Sequence, residues 1–236
     1  MSIAEKLTTI AENQQRVFNT GYEKGKSEGG NTEKIKEWVS CGLLFNFQNY
    51  TGTNIDVESD LALAYSMEQN HISANKTKGL CYNNQNIKEC RIIFPNAKNA
   101  RFSFCDCHNL EYITVDMTKV VDTKDGYTGF NSTFAYCYAL KRIDGQISLL
   151  NCVLERTFDL CYSLEYIAFM PLSINNSLSL ADIPNLSEEG VKTLIDALVT
   201  ITDGVARTLT LHATVKGNLT DEQIATITDT KGWTLV

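Results

Sequence analysis

The sequence predicts an α/β solenoid, a stack of repeats sharing a parallel sheet, preceded by an N-terminal helix. A ten-residue pattern, F-x-x-C-x-x-L-x-x-I, occurs three times: as Phe104, Cys107, Leu110 and Ile113; as Phe134, Cys137, Leu140 and Ile143; and as Phe158, Cys161, Leu164 and Ile167. The copies begin thirty and then twenty-four residues apart. That is the period of a unit too small to bury its apolar face without a neighbour. The last sixty residues alternate strand and helix patterns, and such alternation implies parallel strand pairing.

Residues 1–20 read as an amphipathic helix for attachment or oligomerisation. Ser2 with Glu5 forms a capping box, and Ile3, Leu7, Ile10, Gln14 and Val17 keep the four-three spacing of a short coiled-coil seam. A helix this short is marginal alone in water, so its stripe needs either other chains or the protein's own body. Gly21, Gly25, Gly29 and Gly30, set among Lys24, Lys26, Ser27 and Glu28, make residues 21–33 a flexible linker. Residues 34–77 read as an N-terminal cap, apolar around Trp38, Leu43, Leu44, Phe45 and Phe47, with a short helix expected over 56–69.

The repeats occupy residues 78–173. A weaker copy, Cys81, Asn84, Ile87 and Cys90, precedes the first full one, as expected of a terminal unit with a neighbour on one side only. Within each unit the section from Phe to Leu is expected to be a tight helical or turn-like arc, and the section after Leu a short stacking strand. Two further columns make sense only if the units are layered. Tyr112, Arg142 and Tyr166 precede the final Ile and would alternate ring, cation, ring about 4.8 Å apart. Glu111, Lys141 and Glu165 alternate in sign.

Residues 174–236 continue the stack and cap it. Strands are expected at 177–180, 208–212 and 233–236. One helix opens at Ser187 with Val191, Leu194, Ile195 and Leu198 on its apolar face, and another opens at Thr220. The sheet of the repeats is expected to run on to the C-terminus.

Of 236 residues 43% are hydrophobic and three are proline, enough apolar mass for a core. Net charge is −7, and residues 1–40 balance six acidic against six basic side chains, so the negative excess lies in the body. Nucleic acid and anionic membranes select the opposite sign. Residues 1–15 lack the basic start and apolar run of a secretory signal, and no stretch reaches the roughly 18–20 apolar residues of a membrane helix. The chain is expected to be made in the cytoplasm and not to insert into a membrane. Of the eight cysteines, Cys107, Cys137 and Cys161 recur at one repeat position and read as small buried hydrophobes. Cys105, Cys107 and His108 spell C-x-C-H without the second knuckle of a zinc site, so no metal or cofactor is expected.

No G-x-S-x-G elbow, H-E-x-x-H helix, Walker loop or dinucleotide fingerprint is present. Three histidines among eight cysteines yield pairs such as Cys105 with His108, or pairs with His71 or His212, by chance. Asp106 and Asp159 would be the carboxylate pair of a sugar-cleaving enzyme. The expectation is no catalytic residue. Directly after the repeat cysteine come His108, Tyr138 and Tyr162, which with Tyr82 and Tyr136 read either as an aromatic ligand-binding surface for sugars or protein loops or as rings packed between arcs.

At these core residues the chain resembles the BspA-like leucine-rich repeats, whose units carry a similar F-x-x-C-x-x-L-x-x-I core. The resemblance covers about residues 81–171 and implies a leucine-rich-repeat-like stack. It departs in lacking the I-P-x-S-V segment after the strand, which only Met170, Pro171, Leu172 and Ser173 approach. The opening M-S-I-A-E-K-L-T-T-I-A-E-N, with the Gly and Lys linker, and the closing K-G-W-T-L-V are similar to tail- and baseplate-associated proteins of phages and prophages of Gram-positive bacteria. These likenesses imply a non-enzymatic virion tail protein used in receptor binding and adhesion. Its N-terminal helix would join other tail subunits or itself, as a possible trimer, and its repeats would meet a host cell-surface glycan or protein. A polysaccharide depolymerase on the same scaffold, and a host-encoded intracellular protein-interaction module, are the alternatives.

Overall fold

Where the ten-residue pattern ends on its aliphatic residue, the chain extends into a strand. The computed structural model describes residues 51–58, 80–93, 100–120 and 129–236. The expected N-terminal helix, its seam of Ile3, Leu7, Ile10, Gln14 and Val17, and the linker lie outside the described residues. Strands β1 (Asn54–Glu58), β2 (Glu89–Ile93), β3 (Tyr112–Met117), β4 (Arg142–Ile147) and β5 (Tyr166–Phe169) form one parallel sheet in chain order. Cys90, Ile113, Ile143 and Ile167 are direct register partners, so the weak copy and the three full ones align as their spacing predicts. The ladder begins one residue after Leu: the amides of Lys88, Glu111, Lys141 and Glu165 donate to Thr53, Lys88, Glu111 and Lys141 at 2.7–2.8 Å. Alternation then sends Ile113, Val115 and Met117 into the core.

The expected helix over 56–69 is corrected at its start, since residues 56–58 belong to β1; residues 59–79 lie outside the described residues. Ile55 pairs with Cys90 and is buried. Upstream of it Asn46, Asn49 and Gly52 stand where other units have Phe, Cys and Leu, so no apolar pattern announces the strand. Its pairing comes from the ladder that β2 offers.

The arcs between strands are turns, which settles the choice between helical and turn-like. Each full unit carries two left-handed residues, two places before and two places after its Phe: Phe102 and Asp106, Ser132 and Tyr136, Arg156 and Leu160, at φ of 51–64°. Such conformations cost about 1–2 kcal/mol each for non-glycine residues, and cross-unit hydrogen bonds hold them. The Phe104 and Asp106 amides donate to Thr133 and Ala135, and those of Phe134 and Tyr136 to Thr157 and Asp159, at 2.8–3.0 Å. The arcs thus form a second ladder across the core from the sheet.

Between the two ladders all twelve repeat core residues are buried. Phe134 lies between Phe104 and Phe158, with ring centroids 5.5 and 5.6 Å away and planes within 5°. Phe134→Ala removes the middle ring of this stack and is expected to cost about 3–5 kcal/mol in urea unfolding. Phe104→Ala, which loses one of these stacked partners rather than two, should cost less.

The repeat pattern runs one unit further than expected. Leu180, Ile183 and Leu186 stand where Phe158, Cys161 and Leu164 stand one unit earlier, and the Ser187 amide takes the ladder place on the Glu165 carbonyl at 2.9 Å. There Ser187 caps helix α1 (Glu188–Ala197), accepting from the Gly190 amide, so a helix instead of a strand covers the flank of β5. The expectation that the repeat sheet reaches the C-terminus is therefore corrected. Strands β6 (Leu178–Leu180), β7 (Thr208–Leu211) and β8 (Thr234–Leu235) pair in parallel as a separate three-stranded sheet. The expected alternation of strand and helix holds within it. A short helix α2 (Ala213–Gly217), capped by His212, was not expected; α3 (Asp221–Ala225) carries a full capping box from Thr220 and Gln223 and runs into a π-helical turn, Thr226–Thr230. Trp233 is buried and donates to the Val199 carbonyl at 2.8 Å. Among the described residues no helix is long and apolar enough to cross a membrane.

Candidate functional site

The residue after the repeat cysteine lies where the arc turns back toward the sheet. One place further on, Asn109, Ser163 and Asn185 donate side-chain hydrogen bonds to the carbonyls of Gln85, Tyr138 and Tyr162 at 2.7–2.8 Å. These bonds lock the position unit to unit, and Gln85, His108, Tyr138 and Tyr162 become a row. His108 and Tyr138 lie 4.7 Å apart by centroid, and Tyr138 and Tyr162 lie 6.0 Å apart within 10° of parallel. Tyr136, from the left-handed position two places earlier, meets Tyr138 edge-on at 6.4 Å. Tyr138 and Tyr162 are 37% and 47% exposed, the values that make this a surface feature as well as a packed one.

Four of the five expected surface residues are therefore contiguous. Tyr82 packs instead edge-on to Phe102 at 6.5 Å. It joins the others through Asp106, because burial, with Asp106 and Cys105 beside it, pushes the Tyr82 hydroxyl above its ordinary value. Tyr138 shifts the same way through desolvation and then Asp106. Asp106 also lies 3.6 Å from the Cys105 thiol and 3.7 Å from the His108 Nε2. Sequence reasoning missed Arg156, whose Nη2 donates to the Tyr136 hydroxyl while its guanidinium sits over the Tyr136 ring and Nε pairs with Asp159 at 2.9 Å. Its signal was its offset, two places before Phe158, in a turn that only the structure reveals.

The ionisable groups beside the row are engaged with one another. Cys105 is buried, and burial followed by the neighbouring Asp106 pushes its thiol up to about 12, so it is not a thiolate at neutral pH. Asp106 stands between it and His108, so the two do not form a nucleophile and base. Asp106 and Asp159 belong to arcs two ladder steps apart, roughly 10 Å along the stack, and Asp159 is engaged with Arg156. His212 accepts from the Thr214 amide as a helix cap, and His71 lies outside the described residues. Among the described residues no group of three or more His, Cys, Asp or Glu is placed to hold a metal.

The cysteine column does more than fill space. The seven described cysteines are buried and form no disulfide with one another. The thiols of Cys107, Cys137 and Cys161 lie 3.0–3.1 Å from the carbonyls of Cys81, Phe104 and Phe134, one unit back. Those carbonyls also accept from the amide three residues on, of Asn84, Cys107 and Cys137, closing each arc turn. One carbonyl thus ties its own turn to the next unit's thiol, which a purely hydrophobic side chain could not do. Cys137→Val is expected to be less stable than Cys137→Ser by about 1 kcal/mol in urea unfolding, although Val is the more apolar; the reverse order would reduce the column to packing.

On the outer sheet face the predicted columns form in part. Arg142 lies 3.7 Å over the Tyr166 ring and pairs with Asp144 and Glu189, while the cation facing Tyr112 is Lys141, 5.5 Å away. Lys141 also pairs with Glu111 at 2.7 Å, as sign alternation predicts, and Arg91 pairs with Asp56 at 3.0 Å. This face answers its own charges, in contrast to the aromatic row.

No family model matches the chain, and comparison with curated proteins and with solved structures likewise finds no match.

Proposed function

We propose that this chain is a non-enzymatic binding protein of a phage or prophage tail. Its BspA-like, leucine-rich-repeat-like solenoid meets a host cell-surface glycan or protein, and residues 1–33 attach it to the particle or to copies of itself. The observation that carries the reading is the row of His108, Tyr138 and Tyr162, flanked by Tyr136, held half-exposed on a double ladder of hydrogen bonds. Rigid aromatic side chains presented at low entropic cost suit recognition. The thiol beside them is held protonated, which argues against nucleophilic chemistry there. The solenoid is supported by five parallel strands in chain order opposite a second ladder of arcs. Attachment is supported by the seam of Ile3, Leu7, Ile10, Gln14 and Val17 followed by a glycine-rich linker.

Deleting residues 1–30 tests the division of labour. The intact chain is expected to be oligomeric by light scattering, as a trimer if the seam is fibre-like. The truncated chain should be monomeric, still cooperatively folded, and weaker on cells only through lost avidity. A monomeric intact chain would remove the attachment role. Release of reducing ends from Gram-positive cell wall or capsule would replace the binding reading with the depolymerase one.

A further inference from the structure

We infer that the aromatic row recognises a polypeptide segment carrying a Lys or Arg, rather than a glycan; this rests on the binding reading above. A sugar is held by an aromatic residue chiefly through its C–H face, which needs the electron-rich face of the ring. At the centre of the row those faces are engaged. Tyr138 has His108 at 4.7 Å on one neighbouring unit and Tyr162 at 6.0 Å, nearly parallel, on the other. Rings already in stacking contact leave no room for a pyranose between them. The face of Tyr136 carries the Arg156 guanidinium. With both faces covered, what the half-exposed Tyr138 presents outward is its ring edge and phenol hydroxyl. An aromatic edge is the positive end of the ring quadrupole, and with a hydroxyl donor beside it the complement is an acceptor such as a peptide carbonyl.

Charge points the same way. Asp106 sits against the row with its side chain 28% exposed, and its close side-chain neighbours are a protonated thiol, the Tyr82 hydroxyl and the His108 imidazole rather than a Lys or Arg. A cationic side chain of a partner is the group that carboxylate suits. Tyr, His and Arg packed into one rigid patch also match the composition of protein interfaces.

The test uses the intact chain on a panel of Gram-positive cells, measured by co-sedimentation after mock, protease or periodate treatment of the cells. Protease should lower binding at least tenfold and periodate leave it unchanged. Tyr138→Ala with Tyr162→Ala should lower binding at least tenfold, with unchanged thermal unfolding showing the fold intact. Asp106→Asn should weaken binding about threefold and flatten its salt dependence. Periodate-sensitive, protease-resistant binding that still needs Tyr138 overturns the polypeptide partner and leaves the binding reading standing. Binding indifferent to the three substitutions overturns the assignment of this surface. Absence of binding to every cell overturns both.

Discussion

Between pH 8 and pH 10 the midpoint of urea unfolding is expected to fall steeply, with the chain unfolding without denaturant near the upper end. The cause is the set of buried thiols. Desolvation pushes Cys81, Cys105, Cys107, Cys137 and Cys161 well above the ordinary thiol value; neighbouring thiols or carboxylates add to the shift, and a backbone hydrogen bond offsets part of it at Cys107, Cys137 and Cys161. Unfolded, each would ionise near about 8.5. A folded value above the unfolded one means that the native state keeps a proton the unfolded chain releases. The stabilisation is complete below the unfolded value and is lost as pH rises through it. Each such thiol removes about 1.4 kcal/mol per pH unit above that point, and five remove about 7. Typical domain stabilities are about 5–15 kcal/mol, so about two pH units suffice. Urea titrations from pH 7.5 to 10 in reductant at constant ionic strength measure the slope. Cys137→Ser should reduce it by about one fifth. A midpoint that does not move over this range would show that the thiols are not confined to the protonated form.

Gly145→Ala is expected to be among the most damaging single substitutions, at about 3 kcal/mol or more, with loss of soluble expression as the first sign. Gly145 pairs with Val115 across β3 and β4 at φ +96°, and an added Cβ would lie 1.9 Å from the Val115 carbonyl oxygen. The obstacle is backbone, so no side chain can swing away to relieve it. The irregularity has a purpose in the packing. Ile143, Gly145 and Ile147 pair with Ile113, Val115 and Met117 on one side, whereas on the other Ile143 and Ile147 pair with Ile167 and Phe169, only two residues apart. The extra residues of β4 let Phe169 face Ile147 and meet the Phe158 ring edge-on at 6.2 Å. Gly204→Ala is the control, with φ +73° and nothing within 4 Å of the new Cβ. It should cost only the dihedral penalty of about 1–2 kcal/mol, and equal costs at the two positions would mean that the contact at Gly145 is relieved elsewhere.

The aromatic row was legible as a list of residues and illegible as a site. His108, Tyr138 and Tyr162 share an offset from the cysteine, so layering the units aligns them. That both faces of Tyr138 would be taken by its neighbours depends on ring torsions that no spacing encodes. Asp106 entered the sequence reading as half of a carboxylate pair, yet it belongs with Cys105, His108 and Tyr82. The left-handed turn at Asp106 and the step to the next arc decide which groups meet. Cys105 and His108 are a pair of the kind this composition supplies by chance, and in the structure Cys105 is buried with Asp106 against both.

The register could be read without coordinates: a common spacing in the three full copies and the weaker one puts Cys90, Ile113, Ile143 and Ile167 into one row, because a slip of one residue would turn every buried side chain of a strand outward. The sequence also set the parallel direction of the C-terminal strands and the caps at Ser187 and Thr220. Only the tertiary structure decided that β1 joins the sheet with no apolar motif of its own, and that α1 displaces the next strand so that β6, β7 and β8 pair apart. Both outcomes turn on hydrogen-bond edges. An unfilled ladder accepts any backbone that reaches it, whatever its side chains, and is closed by whichever element arrives first with its own amides satisfied.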